Sequence, residues 1–131
     1  MQANWIKPLF IIAAIYDGVL GIAFLLFSGI LFQSFGVEPP NHLAYVQFPA
    51  LLLIVFAAMF VRIAKDPVAN RELILYGVAL KVSYCGLTFW YQAFGGVPFM
   101  WLPWAWADSI FLVLFAMAWR VVGTKPQPQG C

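Results

Sequence analysis

The chain has 131 residues, of which 64% are hydrophobic and 9% charged, whereas a soluble domain devotes about a quarter of its residues to charge. A water-soluble globular fold is thereby excluded. The net charge of +2 comes from seven Lys and Arg against five Asp and Glu, and the cations are scattered with no basic face, which argues against nucleic acid as a partner.

The apolar residues fall into four runs, each long enough to cross a hydrocarbon core about 30 Å thick at 1.5 Å per residue. The first span is predicted over residues 7–35. Pro8 suits its first turn, and Gly36-Val37-Glu38-Pro39-Pro40 stops it. This run is longer than a signal-peptide core and carries Asp17, so it reads as a retained helix. The second span, 42–63, has Asn41 as its expected N-cap and Pro49 inside, where the Tyr45 carbonyl loses its helical partner. The third, 70–94, opens on Asn70 as a cap with Glu72 in its first turn, and closes before Gly95-Gly96. The fourth, 98–122, holds Pro103, which either kinks it or marks its true first turn. Residues 125–131 are polar and Pro-rich and are expected to form a disordered tail. Loops this short predict an all-α fold, one antiparallel four-helix transmembrane bundle over residues 1–124.

Lys7, Arg62, Lys65, Arg71, Arg120 and Lys125 flank the ends of the spans on one side, and the other two loops contain no Lys or Arg. Cytoplasmic flanks retain such cations, so both termini are expected in the cytoplasm. Trp5 and Trp119 would then mark the inner interface. Trp90, Trp101, Trp104 and Trp106 would mark the outer one.

Three ionisable residues remain inside the spans, Asp17, Lys81 and Asp108. Counted at 1.5 Å per residue from the cytoplasmic ends, they lie at depths of roughly 13, 16 and 21 Å. Charged groups at the bilayer centre cost about 2.5–3.5 kcal/mol on insertion scales and normally face the bundle and find partners. Lys81 is therefore expected between the two carboxylates. Two acids and one base do not balance, so one carboxylate is expected to titrate as part of a coupled pair. Helical spacing puts Tyr84, Thr88 and Tyr91 or Gln92 on the Lys81 face, and Trp101 and Trp104 on the Asp108 face. Gln47 could join at the outer end. Gly18 and Gly21 beside Asp17 permit close helix packing.

Two readings of this polar seam stand open. It is either a neutralised network that fixes helix register or a site for a ligand or proton. In the second reading Asp17, Lys81, Asp108, Tyr84 and Trp104 form the site, with Tyr91, Gln92, Trp101, Gln47 and Thr88 around it, and a ligand passes in by Trp101 and Trp104. No cofactor is expected. One His and two distant cysteines give no metal site, no disulfide and no bis-histidine haem, and no phosphate-binding glycine pattern is present. The lone His42 lies away from Ser28 and Ser83, which leaves nucleophilic catalysis without a base.

The four-span layout, with Tyr16-Asp17-Gly18-Val19-Leu20-Gly21, Tyr45-Val46-Gln47-Phe48-Pro49-Ala50 and Leu80-Lys81-Val82-Ser83-Tyr84, resembles small bacterial inner-membrane proteins of the DoxX-like type. The resemblance implies an inner-membrane location and brings no activity. A looser similarity, in cytoplasmic termini and acids facing a lipophilic pocket, is to the four-helix sterol-isomerase and sigma-2-receptor-like group. Three functions follow as expectations. The first is binding or translocation of a small lipophilic or cationic ligand or a proton, with a dimer needed for a transport path. The second is an accessory subunit of a membrane complex, and the third an intramembrane isomerase. Besides the lipid bilayer, partners would be a second copy or membrane-complex subunits.

Overall fold

The computed structural model describes residues 4–123; the expected tail, with Cys131, lies outside them. All regular structure among the described residues is helical: α1 (Ile6–Leu26), α2 (Ser28–Ser34), α3 (Ala44–Lys65), α4 (Arg71–Phe94), a 3₁₀ turn (Phe99–Trp101) and α5 (Leu102–Gly123). Four of these segments are long and apolar enough to span a membrane, as the runs in the sequence require.

The first span is not one helix to residue 35. It breaks at Phe27, whose φ of −126° and ψ of 26° leave the helical region, just before Ser28-Gly29. A Ser/Gly pair lowers the cost of such a break. Its continuation, α2, ends at Gly36, where φ of 66° is a left-handed conformation that glycine adopts without strain. The second span starts at Ala44, not after Asn41, and the cap is supplied by His42, whose Nδ1 accepts the Ala44 N–H at 3.1 Å. Asn70 occupies the N-cap position of α4 as expected, but its side chain does not cap the helix. Its side-chain amide donates instead to the carbonyls of Arg62 and Asp66 at 3.1 and 3.0 Å, closing the C-terminal end of α3. Pro103 lies in the first turn of α5, where a missing N–H costs nothing.

The bundle is built from two pairs, α1 against α3 and α4 against α5. Apolar burial drives little association between helices surrounded by lipid, so the pairs depend on close backbone approach and shape. Gly21 provides that approach: a Cβ there would lie 2.7 Å from the Ala50 carbonyl oxygen and 3.1 Å from the Leu53 Cβ. Backbone cannot step aside as a side-chain tip can. Gly21→Ala is therefore expected to destabilise the fold by about 1–3 kcal/mol, visible as a lower midpoint of thermal unfolding in detergent. An unchanged midpoint would show that α1 and α3 are not in this contact.

The end of the bundle nearer the termini is filled by rings. Phe10 stacks on Phe115 at 4.8 Å between centroids, and Phe60 packs on Phe115 at 5.2 Å. Phe60 also abuts Gly77, where a Cβ would come within 2.9 Å of its ring, so α3 and α4 touch closely here. Arg71 locks the same end, donating from Nε to the Trp119 carbonyl at 3.1 Å with its guanidinium carbon 3.9 Å from the Trp119 ring centroid. The opposite end, where the two longer loops lie, is packed less completely.

Candidate functional site

The two helix pairs are tied together at mid-height by one lysine. Lys81 on α4 donates from Nζ to Asp17 on α1, at 3.0 Å to Oδ1 and 3.2 Å to Oδ2, and to Asp108 Oδ1 on α5 at 2.9 Å. All three residues are buried. The depth coincidence read from the sequence thus corresponds to a contact triad, with Lys81 between the carboxylates as expected. Three donor contacts use the full capacity of the ammonium group. On its other side Nζ lies 5.7, 5.8 and 5.3 Å from the ring centroids of Tyr16, Phe60 and Phe111, faces that favour a cation.

The two carboxylates are not equivalent. Asp17 has a side-chain exposure of 1%, and both its oxygens accept from Lys81. Asp108 has 11%, and among the described residues only its Oδ1 is bonded. Its second oxygen remains available to another partner. Asp17 and Lys81 thus form a closed ion pair, and Asp108 carries the uncommitted negative charge.

That charge lies at one end of a cavity of about 710 Å³, within the roughly 300–1,000 Å³ of small-molecule sites. The cavity runs from Asp17 and Asp108 between the helix pairs to Glu38, Pro40, Val97 and Pro98 at the loops. Its wall is aromatic and aliphatic, and Phe24, Phe32, Tyr84, Tyr91, Trp101 and Trp104 all contribute. The charged wall residues are Asp17, Glu38 and Asp108, all acids; Lys81 does not reach the wall. An apolar chamber with a few polar groups at one end is the usual form of a ligand pocket. A packed cluster fixing register alone would need no such chamber.

Most sequence-assigned site residues converge here, with different parts to play. Tyr84 lines the wall and donates its hydroxyl to the Trp101 carbonyl at 2.7 Å, fixing the 3₁₀ turn against α4. Thr88 is a buried wall residue, and Tyr91 is a wall residue with an exposed edge. Trp104 presents wall surface one helical turn before Asp108, while its buried indole N–H has no acceptor among the described residues. Trp101 is also a wall residue. It stacks on Phe24 at 5.8 Å and meets Phe32 edge-on at 6.2 Å, joining the 3₁₀ turn to α1 and α2.

Two assignments fail. Gln92 is exposed and accepts the Val97 N–H at 3.0 Å through Oε1, stapling the turn in which Gly96 has φ of 89°. Its side chain is therefore committed to loop closure, outside the cavity wall. Gln47 is half-buried on α3 and also absent from the wall, because the helix turns Val46 and Pro49 to the cavity in its place. Glu38 and Phe32 are wall residues that helical spacing from the charged positions could not find, because α2 and the following loop fold back over the chamber; Phe24, seven residues after Asp17 on the same buried face of α1, is one that this spacing could have found. No protein-family model, no curated protein and no solved structure matches the chain.

Proposed function

We propose that the protein is a small integral membrane protein that binds a lipophilic organic cation, held in the cavity with its charge at Asp108. The observation that carries this reading is the sign and placement of charge on the wall: three carboxylates, two of them the acids of the triad and one at the loops, against the single positive charge of Lys81 behind the wall, in an otherwise apolar aromatic chamber. An ammonium or phosphonium group there meets the unbonded oxygen of Asp108 and ring faces of Tyr84 and Trp104, the two attractions that desolvated cations use. A proton is the smallest cation such a site takes. Aromatic rings and carboxylates would oppose an anion of the same shape.

In this reading the termini are cytoplasmic and the cavity lies in the outer half of the membrane, an orientation supported by the positive flanks at Arg62, Lys65, Arg71 and Arg120. The three segments that resemble DoxX-like proteins all contribute to the cavity wall or the triad, through residues such as Asp17, Pro49 and Lys81. Membership of that inner-membrane type forms part of the proposal.

Tetraphenylphosphonium and tetraphenylborate differ mainly in the sign of their charge. Purified protein in nanodiscs is expected to bind the phosphonium saturably and the borate at least about 100-fold more weakly, equivalent to about 2.7 kcal/mol. Equal affinities for both ions, or no saturable phosphonium binding, would reject a cation site.

A further inference from the structure

The cavity touches two seams between the helix pairs, and only one is shut. On the α1 side, Trp101 of the 3₁₀ turn that leads into α5 packs on Phe24 of α1 and Phe32 of α2. On the other seam, α3 and α4 meet where Phe60 packs on Gly77. Beyond Lys81 toward the loops, no hydrogen bond, ion pair or ring contact joins α3 to α4 among the described residues. Instead, side chains there belong to the cavity wall and to the outer surface at once: Leu52 and Tyr45 on α3, with Leu87 at 62% exposure and Tyr91 at 57% on α4. A residue can be both only where the wall is thin or interrupted.

We infer that ligands reach the cavity sideways from the hydrocarbon, through a portal between α3 and α4 framed by Leu52 and Leu87. This builds on the reading of the chamber as a ligand site and adds the source: molecules already dissolved in the bilayer. The frame is apolar and lies within the spans, so a bilayer-dissolved ligand meets no charged barrier before the acids inside. Charged, strongly hydrated molecules of the same size are excluded by the lipid outside the portal, because hydrocarbon penalises unpaired charge. The water-side alternative runs past Glu38 at the loops.

The portal can be tested without any ligand. In protein carrying Cys85→Ala and Cys131→Ala, Thr88→Cys places a single thiol on the cavity wall. Reconstituted in liposomes, that thiol is expected to react with N-phenylmaleimide, which dissolves in the bilayer, at least about tenfold faster than with a sulfonated maleimide, after correction for rates on a free thiol. Adding Leu52→Trp and Leu87→Trp to narrow the portal should slow N-phenylmaleimide about tenfold. Equal corrected rates for the two reagents would overturn the proposal and indicate access from water. So would no labelling by either reagent, or an N-phenylmaleimide rate unaffected by narrowing in folded protein. The reagent comparison needs no narrowed variant, so it decides the question even if the tryptophan pair does not fold. Loss of phosphonium binding with this labelling pattern intact would reject the cation site and leave the portal standing.

Discussion

Lys81→Met is expected to destabilise the bundle by about 3–5 kcal/mol, the usual cost of leaving buried charge without its partner. Removing the ammonium takes away all three contacts at 2.9–3.2 Å and leaves Asp17 and Asp108 facing the same desolvated space. The substitution also removes a tie between the two helix pairs, since Lys81 on α4 reaches Asp17 on α1. Measured by thermal unfolding or by yield of monodisperse protein, the loss should be largely repaired when Asp17→Leu and Asp108→Leu are added. Leucine matches the branched shape of aspartate, and replacing a whole buried ion network by apolar side chains is often neutral or better. The repaired protein should bind no phosphonium. A stable Lys81→Met single variant would mean that the lysine is not what holds the two pairs in register.

The second large effect is an asymmetry between the acids. Asp108→Asn leaves the Asp17–Lys81 pair intact, with Asp17 still accepting on both oxygens, so the fold should survive with a loss of about 1 kcal/mol. Phosphonium affinity should nevertheless fall by about 10–100-fold, equivalent to about 1.4–2.7 kcal/mol, because the coulombic attraction of the carboxylate is lost. Asp17→Asn should do the reverse. It deprives Lys81 of its more enclosed partner and lowers stability by several kcal/mol, while the oxygen of Asp108 that a ligand would meet is kept. Thermal unfolding and phosphonium titration of the two variants side by side separate the structural acid from the binding acid. Equal effects on both readouts would show that the triad acts as one unit.

The parts of this arrangement legible in the sequence are those set by composition and helical counting. Four apolar runs required four spans, and so few charges entered them that Asp17, Lys81 and Asp108 had almost no partners but one another. Tyr84, Thr88 and Trp104 followed from helical spacing. What could not be read depends on local geometry or on the divergence of the helix pairs. The Ser28-Gly29 pair permits a break at Phe27 but does not require one, and the fold-back of α2 brings Phe32 to the wall. Asn70 has the composition of an N-cap yet serves the preceding helix, because the short connection from Asp66 sets its amide against the last carbonyls of α3. Gln92 shares the helical face of Lys81, and its reach to Val97 is decided by the turn that follows. The inequality of the carboxylates depends on which oxygens the lysine reaches, a matter of tenths of an ångström. The cavity itself has no sequence signature: it is the space left where two well-packed pairs separate above a shared ion cluster.

The most direct test of a cation held at Asp108 is a magnetic-dipolar measurement in bilayers between the phosphorus of tetraphenylphosphonium and the aspartate side-chain carbons of protein labelled at those carbons. The expected result is selective dephasing of the Asp108 carboxyl carbon, absent from Asp66 in the loop between α3 and α4 and abolished by excess unlabelled cation. Dephasing at Asp66, or none at Asp108 while the cation is bound, would place the ligand elsewhere and contradict the assignment of the cavity as its site.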